Sequence, residues 1–215
     1  HIIAVARTAG ALEELDDEIQ AIGGTATLVP MAMTDFEAID RLGGAVFERW
    51  KKLDILVGNA GTLGPLTPLG HVEPKQWDEV MAVNVTANWR LIRSFDPLLR
   101  QSDAGRAIFV TSAAAVYSRA YWGPYSVSKA ALNTLVATYA NETRNTNVCA
   151  NVLNPGPVRT RMRALAMPGE DPNTLPAPED LSDAFITMAE TTFRDSGTVF
   201  NYPSGESQKL ATDPV

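Results

Sequence analysis

The chain has 215 residues, of which 45% are hydrophobic and 20% are charged, and this composition excludes a disordered or low-complexity protein. One cysteine and two histidines exclude a disulfide framework and argue against a metal site, so none is predicted. A net charge of −7 disfavours nucleic acid and anionic membranes as partners, and no apolar run approaches the ~20 residues of a membrane span. We therefore expect a single cytoplasmic domain over residues 1–215.

Apolar runs and helical patterns alternate along the chain. The runs are short and apolar throughout, which is typical of strands covered on both faces. Between them, apolar side chains recur at helical spacing, as from Leu12 to Ile22 and from Phe36 to Trp50. Strands are predicted at residues 2–6, 25–30, 54–58, 107–112, 148–153 and 197–202. Helices are predicted at about residues 10–22, 34–50, 74–100 and 123–143, with a last one from about residue 179.

This strict alternation of strand and helix favours βαβ units. The predicted fold is therefore α/β, with a doubly wound parallel sheet between two helical layers in a three-layer α/β/α arrangement. In such open sheets, ligands bind at the carboxyl ends of the strands. Polar residues that directly follow a strand are for that reason the candidates for function.

The helix predicted at residues 123–143 carries Tyr125 and Lys129. Residues four apart share a helix face, so the phenol and the ammonium group are neighbours. A free tyrosine has a pKa of about 10, and a nearby cation lowers that pKa, so the pair suits proton transfer to or from an alcohol. Taken alone, the same spacing also fits a solvated helix face.

Four further signals lie at strand ends or on a neighbouring helix. Ser112 ends the fourth predicted strand, where its hydroxyl can hold a carbonyl or alcohol oxygen. Asn84 is an amide among apolar neighbours of the long helix and needs hydrogen-bond partners there. The third strand is followed by the small residues Asn59-Ala60-Gly61, which let a flat ligand approach the backbone, and the fifth by the loop Pro155-Gly156. Each of these also fits a plain structural role as a cap, a turn or a polar position without function.

In this order, the Asn-Ala-Gly turn, the helix asparagine, the serine, the Tyr-x-x-x-Lys pair and the Pro-Gly loop resemble the short-chain dehydrogenase/reductase family over about residues 2–200. The resemblance implies a Rossmann-type fold and hydride transfer between NAD(P) and a small-molecule carbonyl or alcohol substrate. It also implies a homodimer or homotetramer, formed through the helices at residues 74–100 and 123–143. It further implies four catalytic residues. In these implied roles, Tyr125 is the proton donor and acceptor, and Lys129 binds the nicotinamide ribose and lowers the tyrosine pKa. Ser112 orients the substrate oxygen, and Asn84 supports a proton relay.

The same resemblance implies the cofactor contacts. Arg7 follows the first strand, where no acidic residue stands, and can pair with a 2′-phosphate, which favours NADP over NAD. Ala32 occupies the position of a family aspartate beside the adenine, so adenine binding is expected to be either weakened or left to the backbone of Met33. The remaining contacts are Asn59, Ala60 and Gly61 beside the adenosine ribose, and Pro155, Gly156, Val158 and Thr160 at the nicotinamide amide.

One family feature has no match in the chain, the Gly-x-x-x-Gly-x-Gly turn that cradles the pyrophosphate. Family topology places the corresponding strand between the strands at residues 2–6 and 54–58, so we expect a preceding segment that holds this strand, the turn and the first helix. The competing arrangement pairs those two strands directly and binds no dinucleotide. The matching functional alternative is a non-catalytic family member that acts as a binding or assembly subunit.

The loop at residues 159–178 is expected to cover the substrate, as the corresponding family segment does. Apolar side chains in this loop and just before the tyrosine helix can line the substrate pocket or simply pack beneath a loop. They are Met162, Leu165, Met167, Leu175, Tyr121 and Trp122.

Overall fold

The computed structural model of the protein describes residues 1–210. Its strands are β1 Ile2–Ala6, β2 Ala26–Pro30, β3 Ile55–Gly58, β4 Arg106–Val110, β5 Cys149–Asn154, β6 Thr198–Asn201 and β7 Glu206–Lys209. Its α-helices are α1 Ala9–Ala21, α2 Phe36–Trp50, α3 Pro74–Met81, α4 Ala87–Leu99, α5 Gly123–Thr143, α6 Arg161–Ala166 and α7 Ser182–Ala189. Within residues 1–210, no helix is both long and apolar enough to cross a membrane.

The strands form two sheets. Five strands pair in the order β3-β4-β5-β6-β7, and β1 pairs with β2. Every pair is parallel except β6 with β7. Gly58 of β3 lies opposite Phe109 of β4, and Val110 of β4 lies opposite Leu153 of β5. The carboxyl ends of β3, β4 and β5 therefore lie side by side, and the segments that follow them meet at one end of the sheet.

Both faces of the larger sheet are covered by helices. Phe109 of β4 and Val152 of β5 belong to a core cluster shared with α2, α4 and α5. Their neighbours Ile108 and Leu153 point the other way, into a second cluster shared with α7. Successive side chains of a strand alternate between its faces, so a strand covered on both sides is apolar at every position. The predicted α/β/α architecture with a mostly parallel sheet is confirmed.

The two sheets remain separate within residues 1–210, because β1 and β3 form no ladder with each other. They nevertheless share a core, since Ile3 of β1 packs against the cluster that contains Leu56 of β3. Val5 of β1 is 36% exposed and Val57 of β3 is 44% exposed. The direct pairing of these two strands, one of the two arrangements considered from the sequence, is not formed.

Candidate active site

Tyr125 and Lys129 lie in the first turns of α5, against the end of β4. The helix begins with Gly123 and Pro124, and proline suits this position because a first-turn N–H has no helical partner. Lys129 Nζ donates to the carbonyl oxygen of Val110 at 2.7 Å and lies 5.7 Å from the centroid of the Tyr125 ring. Tyr125 is only 8% exposed and Lys129 only 3%. The shared helix face is confirmed, and its interpretation as a solvated face is wrong.

The turn after β4 brings Ser112 to Tyr125. Ser112 begins a short 3₁₀ turn, Ala113–Ala115, and its Oγ accepts from the backbone N–H of Ala114 at 3.2 Å. The Ser112 hydroxyl also lies close enough to the Tyr125 hydroxyl to lower the pKa of the phenol. Ser112 therefore caps a turn and meets the phenol at the same time.

Asn84 interrupts the long predicted helix. A π-helical turn at Ala82–Thr86 joins α3 to α4, and such turns frequently occur at functional sites. The fully buried Asn84 side chain accepts from Thr62 N at 2.8 Å and donates to Thr62 O and Ser128 Oγ, both at 2.9 Å. Ser128 Oγ donates in turn to the Tyr125 carbonyl oxygen at 2.8 Å. Asn84 thus ties the loop after β3 to the turn of α5 that carries Tyr125.

Asn88, which the sequence interpretation missed, extends this network. It is 3% exposed, and its Nδ2 donates to the Asn84 carbonyl oxygen at 2.8 Å. Its Oδ1 lies against Gly58, where an added Cβ would come within 2.5 Å of that oxygen and 2.4 Å of the Phe109 ring. Only glycine fits at this strand end. The signal that could have revealed Asn88 is a second asparagine four residues after the first, on the same helix face.

The Asn59-Ala60-Gly61 turn reaches these groups through Gly61. A Cβ added to Gly61 would lie 3.5 Å from both Asn84 Oδ1 and Lys129 Nζ. The bare backbone of Gly61 therefore passes directly beside the ammonium group. Asn59 and Ala60 are exposed.

Burial controls the protonation of the pair. It raises the pKa of the Tyr125 phenol, and the nearby Ser112 hydroxyl opposes this rise only in part. It lowers the pKa of the Lys129 ammonium group to about 8. The predicted lowering of the tyrosine pKa is therefore wrong, because desolvation of the phenolate prevails. At neutral pH, Tyr125 is protonated and most of Lys129 is charged.

The loop after β5 carries four residues that are predicted to contact the cofactor, and Gly156 determines the backbone conformation of this loop. Gly156 has a φ of 68°, and a Cβ there would lie 2.5 Å from a proline ring carbon. Pro155 is half-buried and Val158 is buried. Thr160 is exposed and caps α6, since its Oγ1 accepts from a backbone N–H at 3.1 Å.

Arg7 and Met33 lie apart from these groups, beside the two-stranded sheet. Met31 N donates to Ala6 O at 3.0 Å, so the ends of β1 and β2 are adjacent. Arg7 is exposed, and its side chain has no hydrogen-bond or ion-pair partner within residues 1–210. The Met33 side chain packs against the main core, which leaves its backbone as the part that a ligand can reach.

A cavity of about 540 Å³ opens between the loop after β3 and α6. It adjoins the Lys129 ammonium group through Gly61, which lines the cavity and lies beside that group. Two of the six side chains predicted to line a substrate pocket, Met162 and Leu165, line this cavity, and the other four do not. Its walls are residues 61–64 and Leu66 on one side, and Arg161, Met162 and Leu165 on the other.

Comparison with known proteins agrees with the family resemblance. The chain matches the short chain dehydrogenase family over residues 1–171. It is 35% identical over 176 residues to the oxidoreductase YciK of Escherichia coli (strain K12), an alignment that covers 81% of this chain and 69% of that protein.

Solved structures show the same relationship. A short chain dehydrogenase from Pseudomonas syringae has a TM-score of 0.88 and 34% identity, over 93% of this chain and 83% of that one. A short chain dehydrogenase from Escherichia coli CFT073, complexed with NADPH, has a TM-score of 0.86 and 30% identity, over 93% of this chain and 84% of that one. The chain therefore belongs to the short-chain dehydrogenase/reductase family, the nicotinamide-dependent oxidoreductases.

Proposed function

We propose that the protein transfers a hydride between NADP and the carbonyl or alcohol carbon of a small molecule, with Tyr125 as the acid and base. The observation that carries this proposal is the burial of the Tyr125 phenol with the Ser112 hydroxyl close by and the Lys129 ammonium group 5.7 Å from its ring centroid. Two hydroxyls that meet at the end of a parallel strand form a site that one substrate oxygen can share.

The described residues fit the nicotinamide and ribose part of the cofactor. Lys129 uses one of its three N–H donors for Val110, and the other two can bind ribose hydroxyls. The bare backbone of Gly61 leaves room beside them. Val158 and Thr160 would hold the nicotinamide amide, together with the Pro155-Gly156 turn. When bound, the cofactor supplies or accepts the hydride.

Residues of the chain itself donate and accept the proton of the reaction. In reduction, the protonated Tyr125 phenol donates its proton to the substrate oxygen, while the Ser112 hydroxyl orients that oxygen. The charged Lys129 stabilises the phenolate that remains. Asn84 supports this proton relay as a positioning residue, because its amide is engaged by Thr62 and Ser128. In oxidation, the phenolate takes the proton back.

The function is tested by NADPH consumption with a panel of ketones and aldehydes. We expect consumption that depends on the carbonyl compound and that is absent from a reaction without it. Binding of NADPH without turnover of any panel member would contradict the proposal and support the binding or assembly subunit instead.

Lys129 is expected to set an alkaline limit on carbonyl reduction. Its pKa is lowered to about 8, so the charge that stabilises the phenolate is present below about pH 8 and is lost as the pH rises through that value. The raised pKa of Tyr125 keeps the phenol protonated over the same range. In a pH profile, kcat/KM for reduction is therefore expected to be level up to about pH 7 and to fall above about pH 8.

The matched variant for this profile is Lys129→Arg, whose guanidinium stays charged throughout. Whatever activity it retains is expected to lack the descending limb. A wild-type profile that stays level to about pH 10 would contradict the role given to Lys129.

We also propose that NADP is preferred over NAD, because Arg7 is an exposed and unpaired cation at the end of β1 within the described residues. Arg7→Ala removes the group that would pair with the 2′-phosphate. A charge-assisted hydrogen bond contributes about 1.5–3 kcal/mol, so the KM for NADPH is expected to rise about 10–100-fold. The KM for NADH, measured in parallel, should stay unchanged, and an equal rise for both cofactors would refute the assignment.

The assembly that we propose is a homodimer or homotetramer formed through α4 and α5. Trp89 on α4 is 45% exposed and Val127 on α5 is 42% exposed, and exposed apolar side chains of this size favour association. Light scattering is expected to give twice or four times the monomer mass, and Trp89→Glu is expected to shift it toward the monomer. A wild-type protein that scatters as a monomer would contradict this assembly.

A further inference from the structure

The cavity beside Gly61 has a charged side chain in its wall that lacks a partner. Arg161 lines it together with Leu63 and Met162. Within residues 1–210, the Arg161 guanidinium makes neither a hydrogen bond nor an ion pair. Arginine presents five donors in a planar fork, and a carboxylate or a phosphate is the group whose oxygens match that fork.

Arg163, on the same helix, differs from Arg161 because its guanidinium is paired with a carboxylate of the chain. Its Nε and Nη2 donate to the two carboxylate oxygens of Glu170, both at 2.6 Å, and this pair closes the loop after α6. The chain has 25 acidic and 18 basic residues, so acidic partners are plentiful. None of those in the described part of the chain pairs with Arg161. Arg161 is an exposed residue, so its guanidinium at the edge of the cavity is free to bind an anion.

The lining of the cavity indicates which kind of anion it accepts. The cofactor phosphates and an anionic substrate are the two sources of negative charge. A pyrophosphate has no apolar surface to bury against Leu63, Met162 and Leu165. The apolar body of a substrate does have such a surface, and its burial there stabilises the complex. Gly61 lines this cavity and lies beside the Lys129 ammonium group, one helical turn after Tyr125, so the cavity adjoins the candidate site.

Building on the proposed function, we infer that the substrate is a carbonyl compound with an apolar body and an anionic group, and that Arg161 determines this specificity by binding the anion. The apolar side chains of the cavity bind the body. The carbonyl is reduced to an alcohol as NADPH is oxidised to NADP, with the hydride added to the carbonyl carbon and the proton of Tyr125 to its oxygen. The anionic group takes no part in this step.

The test compares para-acetylbenzoate with its neutral methyl ester, which has the same ketone. In Arg161→Gln, kcat/KM for the acid is expected to fall about 10–100-fold, while that for the ester changes less than about threefold. Arg159→Gln is the matched control, because Arg159 is an exposed arginine two residues earlier that does not line the cavity. It is expected to leave both rates unchanged. The Kd for NADPH, measured by fluorescence, should be the same in all three proteins.

Several outcomes would overturn the inference. Equal effects of Arg161→Gln on acid and ester would do so, and so would a wild type that reduces neutral ketones but not the acid. A higher Kd for NADPH with an unchanged acid-to-ester ratio would assign the guanidinium to the cofactor instead. A different result would contradict the proposed function itself, namely reduction of these ketones by Tyr125→Phe at the wild-type rate.

Discussion

Replacing Tyr125 by phenylalanine is expected to lower kcat/KM for carbonyl reduction about 10²–10⁴-fold, the usual contribution of a positioned general acid. The phenyl ring keeps the packing against Trp122, whose ring centroid lies 5.9 Å away, and leaves Lys129 in place. The group that is lost is the hydroxyl that meets Ser112. Initial rates at saturating NADPH measure the effect, and the Kd for NADPH is expected to change less than about threefold.

Tyr139 on the same helix supplies the matched control. It is 3% exposed, and its hydroxyl donates to Asp96 Oδ1 at 2.8 Å, so Tyr139→Phe also removes a buried phenolic hydrogen bond. This variant is expected to lose about 1–3 kcal/mol of stability and to keep its turnover. Loss of activity in both variants, or in neither, would contradict the assignment of Tyr125 as the acid.

Replacing Arg106 by methionine is expected to lower the free energy of unfolding by about 3–5 kcal/mol. Arg106 is fully buried at the start of β4, and its guanidinium donates to the carbonyl oxygens of Gly105, Glu190 and Thr191 at 2.9, 3.1 and 3.0 Å. Glu190 is the C-cap residue of α7, so the cation also meets the negative end of that helix. Methionine fills the aliphatic space but leaves three carbonyl oxygens without their donor.

Urea unfolding followed by circular dichroism measures this loss. Arg41→Met is the control, because Arg41 is exposed and its contacts with Asp35 and Glu37 are long, at 3.7 and 3.8 Å. Its stability is expected to stay within about 0.5 kcal/mol of the wild type. A loss below about 1 kcal/mol for Arg106→Met would show that α7 is not held by this side chain.

Most of the fold could be predicted because strands covered on both faces are apolar at every position. Residues 107–110 of β4 are an example, as Ile108 and Phe109 face opposite clusters, whereas Arg106 at the start of the strand is a buried charged exception. The strand Glu206–Lys209 is the opposite case, since its side chains are polar and exposed and its pairing with β6 fixes its conformation. The last predicted strand ends at residue 202, and nothing in the polar tail after it predicted this further strand. Residues 211–215 of the tail lie outside the described residues.

Helical periodicity predicts the extent of the helical stretch over residues 74–99 but does not predict the π turn within it. The extra residue at Ala82–Thr86 leaves the apolar pattern nearly intact, and what marks it is the hydrogen bonding of Asn84 to a distant loop. Contacts of this kind join residues far apart in sequence. A local pattern carries no information about them.

The residues of the candidate site could be found because a parallel sheet gathers its strand ends. Topology alone brings Ser112 to the helix that carries Tyr125 and Lys129. Their protonation could not be predicted, since it depends on how deeply the groups are buried. Arg106 was missed for a related reason, because arginines are mostly exposed and nothing in the sequence marks this one as buried. Asn88 was missed although its spacing from Asn84 could have revealed it.

Deuterium transfer tests the proposed hydride chemistry most directly. The protein is supplied with NADPH that carries deuterium at the transferable position of the nicotinamide, together with a ketone that it reduces, and the product is examined by mass spectrometry and NMR. The expected product is an alcohol with deuterium on the former carbonyl carbon, formed by the wild type and, much more slowly, by Tyr125→Phe. An alcohol without deuterium at that carbon, or bound NADPH that reduces no ketone, would contradict a hydride transfer with Tyr125 as its acid.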